Sequence, residues 1–313
     1  MKVFVAGATG AIGRPLLREL VSDGHDVVAM TRTAARGEAV RALGAQPVIA
    51  DALDRDGVIA AVREARPDAI IHQLTAIPKL GNPRRLDAAF AQTNRLRIAG
   101  TDNLLAAAEA AGTERFVAQS FGDFTYARTG TGLKTEENDL EPNPPKGQRE
   151  VVAAVKYLEN AVLTAPIAGA VLRYGGFYGP GTSIGGPDSD MIAAVRKRAM
   201  PIIGDGGGVW SFLHCEDAAT ATVAALDEWA TGVFNVCDDD PAPVRDWLPA
   251  LARAVGAQPP RHLPAWLGRL VVGEAGISVM TQVRGMSNAK ARTVLGWKPR
   301  FASYREGFAD GLQ

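Results

Sequence analysis

Three glycines at three-residue intervals, Gly7, Gly10 and Gly13, separate a short apolar run, Lys2–Ala6, from an apolar helical pattern that begins at once. No other stretch restricts the fold as much. Glycine lacks a Cβ, so the chain can turn tightly there and a ligand can come close to the backbone. A helix opening directly after such a turn aims unpaired N–H groups and the positive end of its dipole at whatever lies against the turn. Strand, glycine turn and helix in that order form the context in which a dinucleotide's phosphates are held. The predicted contacts are Gly7, Thr9, Gly10, Ala11, Ile12 and Gly13. The plain alternative is a tight turn whose glycines serve packing alone.

The chain continues in the same manner. Leu16, Leu17, Leu20 and Val21 make one apolar helix face, Gly24 closes the helix, and Asp26–Met30 reads as a second strand. Strand, helix and strand in so short a span imply a right-handed crossover and a parallel sheet. An acidic residue at the end of the second strand would take the ribose hydroxyls of NAD. This chain has Thr31-Arg32 there, with Arg36 one helical turn later. A guanidinium suits a 2′-phosphate by charge and by its fork of donors. NADP (as NADPH) is therefore expected over NAD, unless both arginines are only solvated charges. Gln46–Ala50 is a third strand, followed by Asp51, Ala52 and Leu53. Asp51 is placed either to accept from an adenine amino group or to close a turn. Asp68–Leu74 is a nearly continuous apolar run, as a strand covered on both faces should be. Leu74, Thr75 and Ala76 then fall at its carboxyl end, where open α/β sheets bind ligands. A long helix over Leu86–Ala111 stops at Gly112, and Arg115–Gln119 is a fifth strand.

With 313 residues and 47% hydrophobic content, one large α/β unit with a smaller lobe is the natural arrangement. Lys+Arg equals Asp+Glu at 34 each, so no net field draws the chain to nucleic acid or to a membrane. Cys215 and Cys237 lie in separate apolar segments without metal-ligand spacing, and the four histidines are scattered, so no metal site is expected. The opening apolar run is too short for a secretory signal, and no apolar run is long enough to span a bilayer. A cytoplasmic protein with reduced thiols is expected.

Several motifs together carry a resemblance. Gly7, Gly10 and Gly13 match (T)GxxGxxG with Ala6 in place of the usual threonine. Asn94–Gly112 (NRLRIAGTDNLLAAAEAAG), Arg173–Gly181 (RYGGFYGPG), Val209–Ala219 (VWSFLHCEDAA), Gly232–Val236 (GVFNV) and Ser287–Pro299 (SNAKARTVLGWKP) follow in order. By these the chain resembles the extended short-chain dehydrogenase/reductase superfamily, also called NAD-dependent epimerases/dehydratases, over nearly its whole length. The resemblance implies a Rossmann-type doubly wound parallel sheet in residues 1–173, with 211–237 returning to it. A smaller substrate lobe would comprise 174–210 and 238–313. It implies further cofactor contacts from Leu74, Thr75, Ala76, Asn94, Ser120, Lys156, Tyr174 and Phe177. It also implies a homodimer formed through two helices of the nucleotide domain.

The same resemblance exposes a departure. Members use a Tyr-x-x-x-Lys pair one turn apart on a helix, with tyrosine as acid/base and lysine on the ribose. The matching helix here is about Gly147–Thr164. One register puts Val151 and Val155 at the pair; a shift of one puts Val152 and Lys156 there. Neither supplies a tyrosine. At the end of strand five, Phe121 takes the place of the serine or threonine that touches substrate, leaving Ser120 one position early. The replacement proton donors expected are Tyr126, Ser120 (with an ordered water) and Asp123, with Lys156 retained on the ribose. Tyr157, Tyr174 and Tyr178 are weaker candidates.

In the lobe, Trp266, Leu267, Leu270 and Val271 are expected to pack into the core, the other outcome being a lid over an apolar substrate. Arg196, Lys197 and Arg198 are expected on a solvated helix face. The function that follows is an NADP(H)-dependent oxidoreductase acting on a carbonyl or alcohol of a small organic molecule. The rivals are a cofactor-retaining epimerase, isomerase or dehydratase, and a non-catalytic NADP(H) sensor.

Overall fold

Alternation along the first strand organises the sheet. Val3 and Val5 point to one face and Phe4 and Ala6 to the other, and all four are buried. A strand apolar on both sides must be covered on both sides. In the computed structural model, which describes residues 1–77, 83–187 and 189–312, it is. The elements run β1 (Lys2–Ala6), α1 (Gly13–Ser22), β2 (Asp26–Thr31), α2 (Ala34–Arg41), β3 (Gln46–Ile49), α3 (Arg55–Ala65) and β4 (Ala69–His72). Next come α4 (Leu86–Arg95), a π-helical turn (Leu96–Gly100), α5 (Thr101–Ala111), β5 (Arg115–Phe121), α6 (Arg149–Thr164) and β6 (Ala168–Tyr174). Then follow β7 (Gly176–Tyr178), α7 (Asp190–Arg196), β8 (Ile202–Ile203), β9 (Val209–Trp210), β10 (Phe212–His214) and α8 (Cys215–Asp227). The chain ends with β11 (Gly232–Val236), β12 (Ala242–Pro243), α9 (Val244–Ala254), β13 (His262–Leu263), α10 (Ala265–Thr281), α11 (Ala289–Val294) and α12 (Tyr304–Asp310).

Seven strands form one sheet in the order β3-β2-β1-β4-β5-β6-β11, every neighbouring pair parallel. The order reverses between β1 and β4, because β2 lies on one side of β1 and β4 on the other. That is the switch point at whose carboxyl edge a doubly wound sheet binds ligands. Leu16, Leu17, Leu20 and several α8 alanines cover the face with Val3 and Val5. Val58, Val62, Leu104 and Leu158 cover the face with Phe4. A separate apolar core in the second half gathers Trp210, Phe212, Trp247, Leu248, Tyr304 and Phe308. Ala291, Leu295 and Trp297, from the stretch expected in the lobe, pack instead with the sheet core.

Three local departures have physical reasons. The fourth strand ends at His72, not Leu74, because the Leu74 N–H donates to His72 Nδ1 at 3.2 Å. The long helix is interrupted by the π-helical turn Leu96–Gly100. Trp266, Leu270 and Val271 are 70%, 61% and 56% exposed, against the expectation of core packing. Gly273 lies in α10 at φ 72° and ψ −172°, a kink that breaks the helical phase and turns the first half outward. Among the described residues no helix is long and apolar enough to cross a membrane.

Trp247 is fully buried, with its ring 4.5 Å from Trp210 and 5.3 Å from Phe212. Trp247→Ala is expected to cost about 3–5 kcal/mol, read as a lower urea midpoint with an unchanged slope.

Candidate active site

The glycine turn is built by exclusion. Gly7 adopts φ +98°, and a Cβ there would lie 2.4 Å from the Gln73 carbonyl oxygen, just past β4. A Cβ on Gly13 would lie 2.3 Å from the Gly7 carbonyl oxygen. Both glycines are thus demanded by packing. Gly10 is different: it has no positive φ, and the only atom near its missing Cβ is the Gly7 oxygen at 3.4 Å. It is exposed, so packing among the described residues does not explain the glycine, and the outer side of the turn is open to a ligand. The helix behind it, α1, has no side-chain cap and no acidic residue in its first turn. Its N-terminal dipole is left for an anion. Gly181, in the turn after β7, lies over Ala11, where a Cβ on it would come 3.5 Å from the Ala11 Cβ. Thr9 and Ala11 are half-buried and Ile12 is buried beneath the turn.

Arg32 and Arg36 flank the start of α2, both exposed, and neither has a hydrogen-bond or ion-pair partner among the described residues. Asp51 is exposed, and its Oδ1 accepts from its own turn at Leu53 N–H, 3.0 Å away. Ala52 is buried and Leu53 half-buried beside it. Leu74, Thr75 and Ala76 are half-buried past the end of β4, and Ala76 N–H donates to Thr93 Oγ1 on α4 at 3.0 Å. The residues present therefore fit a dinucleotide along the carboxyl edge, from β2 and β3 across β1 to β4.

The expected proton donors fare differently. Tyr126 is 3% exposed; its hydroxyl donates to Asn235 Oδ1 at 2.6 Å and accepts from Arg173 Nη1 at 2.8 Å. Burial, opposed by the Arg173 charge, pushes its pKa up to about 12. Ser120 is also buried and donates to Glu159 Oε1 at 2.7 Å. Glu159 in turn holds Arg173 with two contacts, 2.9 and 2.6 Å. Tyr126 and Ser120 are thus members of a closed internal network rather than free acids. Lys156 points outward from α6 and donates to the Glu141 carbonyl at 3.0 Å. Val155, the lysine position in the other register of the resemblance, is buried against Tyr126 and Leu140. Tyr174 is buried, with its hydroxyl 2.6 Å from Thr222 Oγ1 and within reach of Gln73 Nε2. Phe177 is half-buried against its ring.

Asp123 alone among those donors keeps an unspent oxygen. Its Oδ1 accepts from Ser211 N–H at 2.8 Å, while buried Oδ2 has no partner among the described residues. Burial, opposed by the Ser211 N–H and the Arg128 charge, drives its carboxyl pKa well above the usual range. Asn94 is buried with neither amide atom partnered. His72 is buried; the Leu74 N–H assigns its Nδ1 as acceptor, so Nε2 donates to Thr101 Oγ1 at 3.1 Å. Burial, aided by Arg97, lowers its pKa to about 4 and keeps the ring neutral. His214 caps α8 through Nδ1, and its Nε2 lies 3.0 Å from the Gly311 carbonyl. Arg196 and Arg198 bond to the Pro187 carbonyl and to Gln258 on the lobe's surface. Among the described residues no group of three His, Cys, Asp or Glu side chains could hold a metal ion.

A parallel sheet with its switch point at β1 and β4, a ligand-facing glycine and a bare helix terminus define a Rossmann-type dinucleotide-binding enzyme. The chain belongs to the NAD dependent epimerase/dehydratase family, whose model matches residues 3–237. It is accordingly an NAD(P)-dependent oxidoreductase or epimerase/dehydratase. It is similar to a 3-diazoavenalumate denitrifying reductase of a Streptomyces species, 46% identical over 309 residues, covering 98% of this chain and 99% of that one. A 2-alkyl-3-oxoalkanoate reductase of Stenotrophomonas maltophilia is 27% identical, covering 82% of this chain and 76% of its own. Among solved structures, Thermus thermophilus UDP-glucose 4-epimerase in complex with NAD has a TM-score of 0.74 at 25% identity, covering 100% of this chain and 98% of that one.

Two variants separate ligand binding from folding. Gly10→Glu is expected to fold, since its space is open, but to lose at least about tenfold in nucleotide affinity by calorimetry, as a carboxylate meets the phosphates. Glu159→Ala is expected to cost about 3–5 kcal/mol, because it leaves Arg173 buried and unpaired.

Proposed function

We propose that this chain is an NADPH-dependent reductase that delivers hydride to the carbon bearing an organic diazonium group, with loss of N2. The observation that carries the reading is a catalytic edge poor in free acids. The resemblance puts Val151 and Val155, or in the shifted register Val152 and Lys156, at tyrosine and lysine, so neither register supplies a tyrosine; Phe121 stands in the serine position, and Tyr126 and Ser120 are consumed internally. Carbonyl reduction needs a proton for the developing alkoxide. Displacement of nitrogen does not. The substrate carbon gains hydrogen with its electron pair, the C–N bond breaks, and both nitrogens leave together. A diazonium cation plus hydride is neutral, so no proton is owed at that carbon. The similarity over the full length to a denitrifying reductase supports the same chemistry.

The residues have separable tasks. The glycine turn and the α1 terminus would hold the pyrophosphate, and Arg32, with Arg36, the 2′-phosphate. Asp51 would meet the adenine. When bound, NADPH supplies the hydride. Phe121 and Val151 would keep water from the reacting carbon. Asp123, whose Oδ2 has no partner among the described residues, would hydrogen-bond the substrate. A homodimer is the expected assembly, supported by Tyr157 and Leu163, 42% and 43% exposed on the outer face of α6; sedimentation velocity reads it directly.

The test is NADPH oxidation with an arenediazonium salt and with a ketone and aldehyde panel, against enzyme-free controls. The expected outcome is N2 release in step with NADPH loss, and little turnover of carbonyls. Carbonyl turnover without diazonium turnover would overturn the reading, and a cofactor-retaining epimerase would consume no NADPH at all. Arg32→Glu is expected to weaken NADPH binding roughly tenfold or more while leaving NADH nearly unchanged.

A further inference from the structure

The lysine that would hold the cofactor's ribose has no counterpart on its usual helix: Val155 is buried and Lys156 faces the Glu141 carbonyl. Another cation lies at the carboxyl edge. Arg97 sits in the π-helical turn, 4% exposed, and its Nη1 has no hydrogen-bond partner among the described residues. Asn94 precedes it by one turn, 6% exposed, with neither amide atom partnered. Residues three apart on a helix share a face. Buried polar groups without partners carry an unmet desolvation cost and call for an explanation. The π turn, an inserted residue that re-aims a helix face, recurs at functional sites.

The surroundings locate that face. Thr93, beside Asn94, holds the Ala76 N–H, and Gly100 faces Leu74, where a Cβ on it would come 3.8 Å from Leu74 Cδ1. Both contacts are to the segment that leaves β4. Arg97's charge is felt by His72 at the end of β4 and by Glu159, which holds Ser120 near the end of β5. The guanidinium is therefore within electrostatic reach of His72 at the end of β4 and of Glu159 beside the end of β5. Gly7 packs on Gln73 next door, so a dinucleotide leaving the glycine turn towards β5 must cross this place with its nicotinamide half.

We propose that Arg97 binds the nicotinamide-side ribose in place of the absent lysine, beside Asn94, the cofactor contact that the resemblance implies. This rests on the reading of the chain as an NADP(H) enzyme. The competing role for Arg97 is purely internal, balancing Glu159.

Calorimetry with three probes separates them: NADP⁺, ADP-ribose 2′-phosphate, and adenosine 2′,5′-bisphosphate, which lacks the distal ribose. Arg97→Met is expected to weaken the first two roughly tenfold, and to leave the bisphosphate unchanged. Arg97→Lys should recover part of the loss, and Asn94→Ala should weaken the same two probes several-fold. Equal affinity of Arg97→Met and wild type for NADP⁺ would overturn the proposal, as would equal weakening of all three probes. If Arg97→Met does not fold, Asn94→Ala, which leaves the Glu159 network intact, decides by the same pattern. Failure of the wild type to bind any probe would instead overturn the NADP(H) reading itself.

Discussion

Everything at the carboxyl edge depends on how closely the first turn lies against its neighbours. The missing side chains of Gly7 and Gly13 leave no gap: a Cβ on either would sit within about 2.5 Å of a carbonyl oxygen. That approach places the first turn of α1 directly over the boundary between β1 and β4, where the strand order reverses. A ligand held there has one course along the edge, past Gln73 and on towards β5. Gly10 is the one member of the triplet that packing leaves unexplained, and it is the one that faces outward.

At the other end of that course, burial shapes the chemistry. Ser120, Arg173 and Asn235 occupy one row across β5, β6 and β11. Glu159 on α6 closes over them. Desolvated charges of this kind must satisfy one another, so hydroxyls that look reactive in isolation are drawn inward. With the Tyr126 and Ser120 hydroxyls withdrawn, the edge accords with the proposed loss of nitrogen, which needs no proton at the reacting carbon.

Much of the fold was legible because the pattern is local. The alternation of Val3 and Val5 with Phe4 and Ala6, and the leucine face of α1, depend on near neighbours alone. The site was less so, and the reason is distance along the chain. Tyr126 meets Asn235 across 109 residues and Arg173 across 47, so no spacing rule could show that its hydroxyl was taken. Lys156 and Val155 are adjacent, yet helical phase sends one to solvent and the other into the core. Trp266 and Leu270 misled because apolar density at helical spacing reads as core. The turn outward comes from one glycine, Gly273, whose dihedral angles the pattern does not reveal. Arg97 was overlooked because a single arginine in an alanine-rich helix looks like a solvated charge; its burial follows from the π turn and the packing of α6.

If hydride alone replaces nitrogen, as proposed, the protein gives no proton to the carbon that loses it. This is tested most directly with NADPH deuterated at the transferable position, in ordinary water, with a diazonium substrate. The account predicts deuterium at the carbon that held the nitrogen. Hydrogen from water at that position would contradict it.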